Sequence, residues 1–313
     1  MVMYTYAWYH WLTFFFIYCF IGWIFESTYV SVKKGRFINR GFLRLPMLPL
    51  YGTGAVMMLW VAIPVKDNLL LVYLAGFIAA TVLEYVTGYM MERLFKVRYW
   101  DYSSLPFNLH GYICLSSSVA WGFLTILMTE VLHKPVERFV LGMNPVVESA
   151  FIGITGALFI TDTIQSTREA LNLARALETM TKMRAELEEL QVQIALLKAE
   201  ASQKVREIKE DQPGRLLKTA GSWKDATVQK LADWRAEPHQ RPAFPPELTS
   251  LTERLRELTE LRQKLTHHIG FSRKSILRRN PGATSRRFAE ALKELKELRE
   301  TINSNSDNHN KTA

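Results

Sequence analysis

Apolar residues in the first half of the chain fall in long unbroken runs, not in the alternation of a strand or the stripe of a surface helix. A helix needs about 20 mostly apolar residues to cross the hydrocarbon of a bilayer. Four stretches meet that need: residues 7–32 with Glu26 as the one formal charge, 47–65 with none, 68–91 with Glu84 alone, and 109–129, uncharged but opened by His110. A fifth, 146–166, keeps an uncharged centre between Glu148 and Asp162 and counts as a span. Beyond residue 166 the runs stop, and apolar positions step by three and four through Leu173, Ala176, Met180, Met183, Leu187, Leu190, Ile194, Leu197 and Ala201. That seam has the heptad spacing of a coiled coil.

The pattern predicts an all-α chain: a polytopic membrane helix bundle of about five spans over residues 1–166, then a cytoplasmic helical tail. The tail divides into a coiled-coil helix over 167–211, which Asp211, Gln212, Pro213 and Gly214 end, and a linker over 212–246. The linker, with Trp223, Trp234 and a cluster of prolines, holds a short amphipathic helix whose tryptophans suit a membrane surface. Helices with a basic patch follow over 247–302, the last from 284 to 302, and residues 303–313 read as a disordered tail. Two partners are open to the heptad seam: the later helix at 248–265 in an antiparallel hairpin, or a second copy in a homodimer through residues 173–201.

Charge sets the orientation. Lys33, Lys34, Arg36, Arg40 and Arg44 crowd the loop after the first span with no acid among them, whereas the next loop offers only Lys66 and Asp67. Retention of basic loops on the inside places the N-terminus out and the C-terminus in, with 92–108 cytoplasmic and 130–145 external. Tyr4, Tyr6, Trp8, Tyr9 and Trp11 then form an outer interfacial belt. The first residues lack a basic n-region and a small-residue cleavage site, so the first run reads as an uncleaved anchor. The net charge of +9 fits this inner basic excess. Cys19 and Cys114 lie inside apolar runs, which argues against a disulfide framework, and no cysteine spacing suits a metal.

This orientation gathers Glu26, Glu84, Asp162 and His110 at one depth near the inner leaflet. A charge at the bilayer centre costs roughly 2.5–3.5 kcal/mol and less near the interface. Two readings stand side by side: acids that snorkel or pair with Arg40, Arg44 or Arg98 to pin loops, and a polar cavity that takes a cation, a proton or a basic group. The candidate cavity residues are Glu26, Asn39, Arg40, Tyr51, Glu84, Trp100, Asp101, Asn108, His110 and Asp162. A second cluster, Arg273, Lys274, Arg278, Arg279, Arg286 and Arg287, contains no acid and suits anionic headgroups, each cation contributing on the order of 1 kcal/mol. No recognition fold or stacking aromatics accompany it, so nucleic acid is not an expected partner. His267 and His268 read as a solvated pair. No catalytic residues, metal or cofactor are expected, because no nucleophile stands with a base.

Two loops carry more than connection: NRGFLRLPMLPLYGTG at 39–54 and YWDYSSLPFNLHGYICLSSSVAWG at 99–122. Together with FFFIYCFIGWIFES, GRFINRGF, the P-x-x-P-x-Y-G at 46–52, LEY at 83–85, RYWDYS at 98–103, PFN-x-x-G at 106–111, Cys114 and Trp121-Gly122, they make the chain resemble the "putative ABC-transporter type IV", CmpB-like membrane proteins of Firmicutes and related bacteria. The likeness covers roughly residues 10–165. Leu45-Pro46 stands where the family usually has Gly-Pro, and Tyr112 where a basic residue is common. The resemblance implies a multi-pass protein of the bacterial cytoplasmic membrane and a permease-like transport component. With no G-x-x-x-x-G-K-[ST] loop, ATP hydrolysis would fall to a separate ATPase subunit. The alternatives are a non-transporting scaffold or regulator acting through the coiled coil, and an intramembrane lipid-modifying enzyme built on Asp101, Asn108 and His110.

Overall fold

A computed structural model of the 313-residue chain describes residues 6–210, 246–270 and 276–298, with backbone alone for 204–210, 246 and 267–270. The expected linker and its tryptophans, the disordered tail, and Arg273 and Lys274 lie outside the described residues. The elements are α1 (Trp8–Lys34), α2 (Pro49–Ala62) with a 3-10 turn to Val65, α3 (Leu69–Phe95), a hairpin of β1 (Asn108–Leu109) and β2 (Ile113–Cys114), and α4 (Leu115–Leu127). A π turn (Met128–Leu132), α5 (His133–Leu141), α6 (Pro145–Glu210), α7 (Pro246–Gly270) and α8 (Ile276–Arg279) follow. Residues 289–298 are also helical.

Among the described residues, four helices are long and apolar enough to cross a membrane: Trp8–Lys34, Leu69–Phe95, Leu115–Leu141 and Pro145–Gln203. Pro49–Val65 is a shorter apolar helix. At 1.5 Å per residue it reaches about 26 Å, just under a typical hydrocarbon thickness. Pro49 opens it at the first turn, where the missing amide hydrogen costs nothing.

Two boundaries differ from expectation. The fourth span begins at Leu115, since residues 109–114 form the hairpin, whose turn needs positive φ at His110 (53°) and Gly111 (72°). The expected external loop at 130–145 is helical through Leu141. There Lys134 pairs with Glu130 one turn earlier at 3.0 Å, and a π turn precedes Pro135, which has no N–H to continue the regular ladder.

Close approach governs the packing. A Cβ on Gly22 would overlap Tyr51 across the α1–α2 contact, and one on Gly76 would overlap Thr125 across the α3–α4 contact. Without a hydrophobic drive between helices in lipid, such small residues let backbones near each other. At one end of the bundle Phe14, Tyr18, Ala55, Leu59, Met128 and Val140 form a buried cluster. Phe15 and Phe16 of α1 meet Phe159 of α6 edge to face.

The chain divides into two compact units, one of Met1–Glu178 with His267–Ala313, the other of Thr179–Thr266. In the second, Met183, Leu187, Leu190 and Ile194 are buried within this single chain, and Arg254 Nη2 donates to Glu186 Oε1 at 2.7 Å, so α6 and α7 meet. In the first, the C-terminal segment packs on the helical bundle. The last helix starts at Ala289, later than the expected 284, because Thr284 is held extended: its N–H donates to Arg98 O at 2.9 Å and its carbonyl accepts from Arg98 N at 2.7 Å.

Candidate functional site

Glu26 lies late in α1, and the α1–α2 contact at Gly22 brings Tyr51 beside it. Tyr51 Oη donates to Glu26 Oε1 at 2.8 Å, and Arg40 Nε stands 3.8 Å from Glu26 Oε2. The guanidinium is otherwise fixed by Asn280 Oδ1 at 2.8 Å and Tyr99 O at 3.1 Å. Burial lowers its affinity for its proton, while Glu26 and Tyr51 act in the opposite sense.

Glu84 of α3 is buried and accepts from Tyr102 Oη at 3.1 Å, Trp121 Nε1 at 2.9 Å and Ser117 Oγ at 3.3 Å. Ser117 has one hydroxyl proton and also faces Cys114 O at 2.9 Å, so its bond to Glu84 is shared. Tyr102 donates to Glu84, and Glu26 acts on it only at longer range. Burial, then the Glu84 carboxylate, and further off Glu26, push its hydroxyl well above the ordinary tyrosine range. Glu26, Arg40, Tyr51, Glu84 and Tyr102 therefore share one electrostatic neighbourhood fed by α1, α2, α3 and two loops.

The other candidates serve the walls. Asp162 Oδ2 accepts from the backbone N–H groups of Arg44 and Leu45, each at 2.8 Å, and so pins the loop after α1 to α6. Asn39 accepts from Trp23 Nε1 at 2.7 Å and donates to Arg44 O at 2.7 Å. Trp100 Nε1 donates to Tyr112 O at 2.9 Å, and Asn108 braces its own turn through Leu105 O at 2.8 Å. His110 is exposed, its Nδ1 3.2 Å from Tyr85 Oη.

Asp101 belongs to a buried ionic node. Arg98, 2% exposed, donates to Glu92 at 2.7 Å and to Asp101 at 3.3 Å, and its guanidinium lies 4.7 Å above the Tyr112 ring. Tyr112 also donates to Glu92, so the ring that stacks on Arg98 is tied to the acid that Arg98 pairs with. Burial pushes the Asp101 carboxyl up, but hydrogen bonds from Ser103 and Thr284, with Arg98, bring it below its usual range.

The basic patch separates as well. Arg278, Arg286 and Arg287 are exposed, and Arg286 Nη2 reaches His110 O at 3.0 Å. Arg279, expected on the headgroup face, is instead buried, donating to Phe42 O and to Glu169 Oε2, each at 3.1 Å. A cation next to a loop carbonyl and a carboxylate of α6 gains more from those partners than from headgroups.

Sequence reasoning missed Tyr102, Ser117 and Trp121, although all three lie within the quoted motifs, because nothing in a linear pattern shows which hydroxyl meets which acid. It also missed a polar cluster at the bundle's other end. There His133 is buried with Tyr6 Oη 3.1 Å from Nε2 and Tyr18 Oη 2.9 Å from Nδ1, while Glu148, 1% exposed, accepts from Thr13 at 2.8 Å and lies 2.9 Å from His10. No group of side chains able to hold a metal ion occurs among the described residues.

Comparison with known proteins agrees with the motifs. Residues 13–167 match the model of a family described as "Putative ABC-transporter type IV". No curated protein and no solved structure matches the chain.

Proposed function

From the membership of residues 13–167 in this ABC-transporter-type family, we propose that the protein is a transport component of the membrane that works with a separate ATPase subunit. We propose further that the neighbourhood of Glu26, Arg40, Tyr51, Glu84 and Tyr102 receives a cationic group or a proton. In the orientation set by the basic loops, this site opens toward the cytoplasm in the inner half of a multi-pass bundle. The observation that carries the reading is that two carboxylates from different helices are each held by a tyrosine hydroxyl, Glu26 by Tyr51 and Glu84 by Tyr102. Ionisable groups in a membrane interior are retained at a cost, and they mark substrate or ion pathways where they face one another. Acids turned toward lipid would lack such hydroxyl partners.

The test is binding of methylguanidine and methylammonium to the full chain in lipid discs, by calorimetry. Saturable binding that Glu26→Gln abolishes supports the site. Binding unchanged by Glu26→Gln, or no saturable binding of either probe, refutes the site as one for a cationic group. A second reading, a scaffold acting through its cytoplasmic helices, is favoured by the separate compact unit Thr179–Thr266. Full activity of a chain lacking that unit would exclude it.

A further inference from the structure

Residues 276–288 lie outside the family match, yet they make several long-range polar contacts to the two loops that supply Arg40 and Tyr102. Asn280, 2% exposed, donates from Nδ2 to Gly41 O at 2.8 Å and accepts from Arg40 Nη1 at 2.8 Å. Gly41 has φ 140°, a backbone state that favours glycine, and this lets its carbonyl face Asn280. Four residues on, Thr284 completes the reciprocal backbone pair with Arg98 and donates from Oγ1 to Asp101 at 3.1 Å, and Ser285 donates to Lys96 O at 2.7 Å. One segment thus staples the loop after α1 to the loop after α3.

The two acids differ in what remains open on them. Glu84 is held by indole and tyrosine donors with a share of a third. Glu26 takes one tyrosine donor, and its cation stands at 3.8 Å, beyond hydrogen-bond length. Arg40 is positioned less by Glu26 than by Asn280 and the Tyr99 carbonyl. We propose that residues 276–288 are a strap that closes the site by anchoring the Arg40 guanidinium beside Glu26, and that a ligand bearing a guanidinium or primary ammonium group enters by displacing this internal cation. The inference rests on the cation-site reading above for its ligand, while the strap itself stands on geometry alone. Arg40 is a positioning residue in this scheme, and Asn280 acts through it.

The experiment uses the full chain in lipid discs with Cys19 and Cys114 replaced by alanine and Ser27→Cys introduced. Ser27 is buried next to Glu26 and accepts from Arg40 N at 3.1 Å, so its thiol reports access to the site. Labelling by a cationic methanethiosulfonate should rise at least tenfold with Asn280→Leu, and likewise with Thr284→Pro, which removes the N–H donated to Arg98. Methylguanidine should slow labelling in both strap variants and lose that effect once Glu26→Gln is added. An unchanged labelling rate overturns the strap. Faster labelling without protection by methylguanidine leaves the strap standing and overturns the cation it admits. Failure of both variants to assemble also overturns the displaceable strap, because the segment would then be a folding element.

Discussion

Replacing Glu84 with alanine tests whether the two acids differ as their hydrogen bonds imply. The same methylenes are removed in Glu84→Ala and Glu26→Ala, so the loss of apolar contact nearly cancels between them. What remains is the fate of the donors. Glu84→Ala orphans Trp121 Nε1 and Tyr102 Oη and deprives Ser117 of a shared acceptor. A buried donor without a partner costs about 1–3 kcal/mol, so the loss is at least about 2 kcal/mol and nearer 3 with the serine. Glu26→Ala orphans Tyr51 alone, at a side chain 28% exposed, and leaves Arg40 its two other acceptors. Its cost is about 1 kcal/mol. The difference of about 2 kcal/mol is roughly a 30-fold change in the unfolding constant. Reversible unfolding in mixed micelles, followed by the fluorescence of the protein's 8 tryptophans, measures both variants against the parent. Equal unfolding midpoints with equal denaturant slopes would refute the asymmetry and with it the reason for assigning Glu26 the open role.

Gly76→Val drives a side chain into Thr125 and should destabilise the α3–α4 contact by about 1–3 kcal/mol, with partial recovery on adding Thr125→Gly, read in the same unfolding assay. Asp101 has a depressed folded pKa, so its stabilisation of the strap is complete above its unfolded value of about 3.9 and fades as pH falls through the folded value. Hydrogen exchange at the Thr284 amide should accordingly stay constant from pH 7 to 5 after correction for intrinsic rates, and Asp101→Asn should raise it throughout. In the Thr179–Thr266 unit, the Arg254–Glu186 pair is exposed, so Glu186→Ala should shift stability by less than about 1 kcal/mol; a larger loss in a double-mutant cycle would show that the pair does more than bridge two surfaces.

The sequence by itself determined that this is a helical protein built for a membrane, and which charges break its apolar runs. Length and hydropathy are local properties, and a bilayer reads them locally. The motif RYWDYS could be picked out as special, but not that its second tyrosine holds Glu84. The continuous helix through Leu141 was hidden because charged residues at helical spacing look like a loop until their i, i+4 pairing is seen. Arg279 read as one more surface cation until packing buried it against Phe42 and Glu169. Tertiary structure alone decided that Asn280 meets Arg40 across 240 residues of chain. Such a contact has no period and no composition; it exists because the folded chain brings Asn280 against both the Arg40 guanidinium and the Gly41 carbonyl.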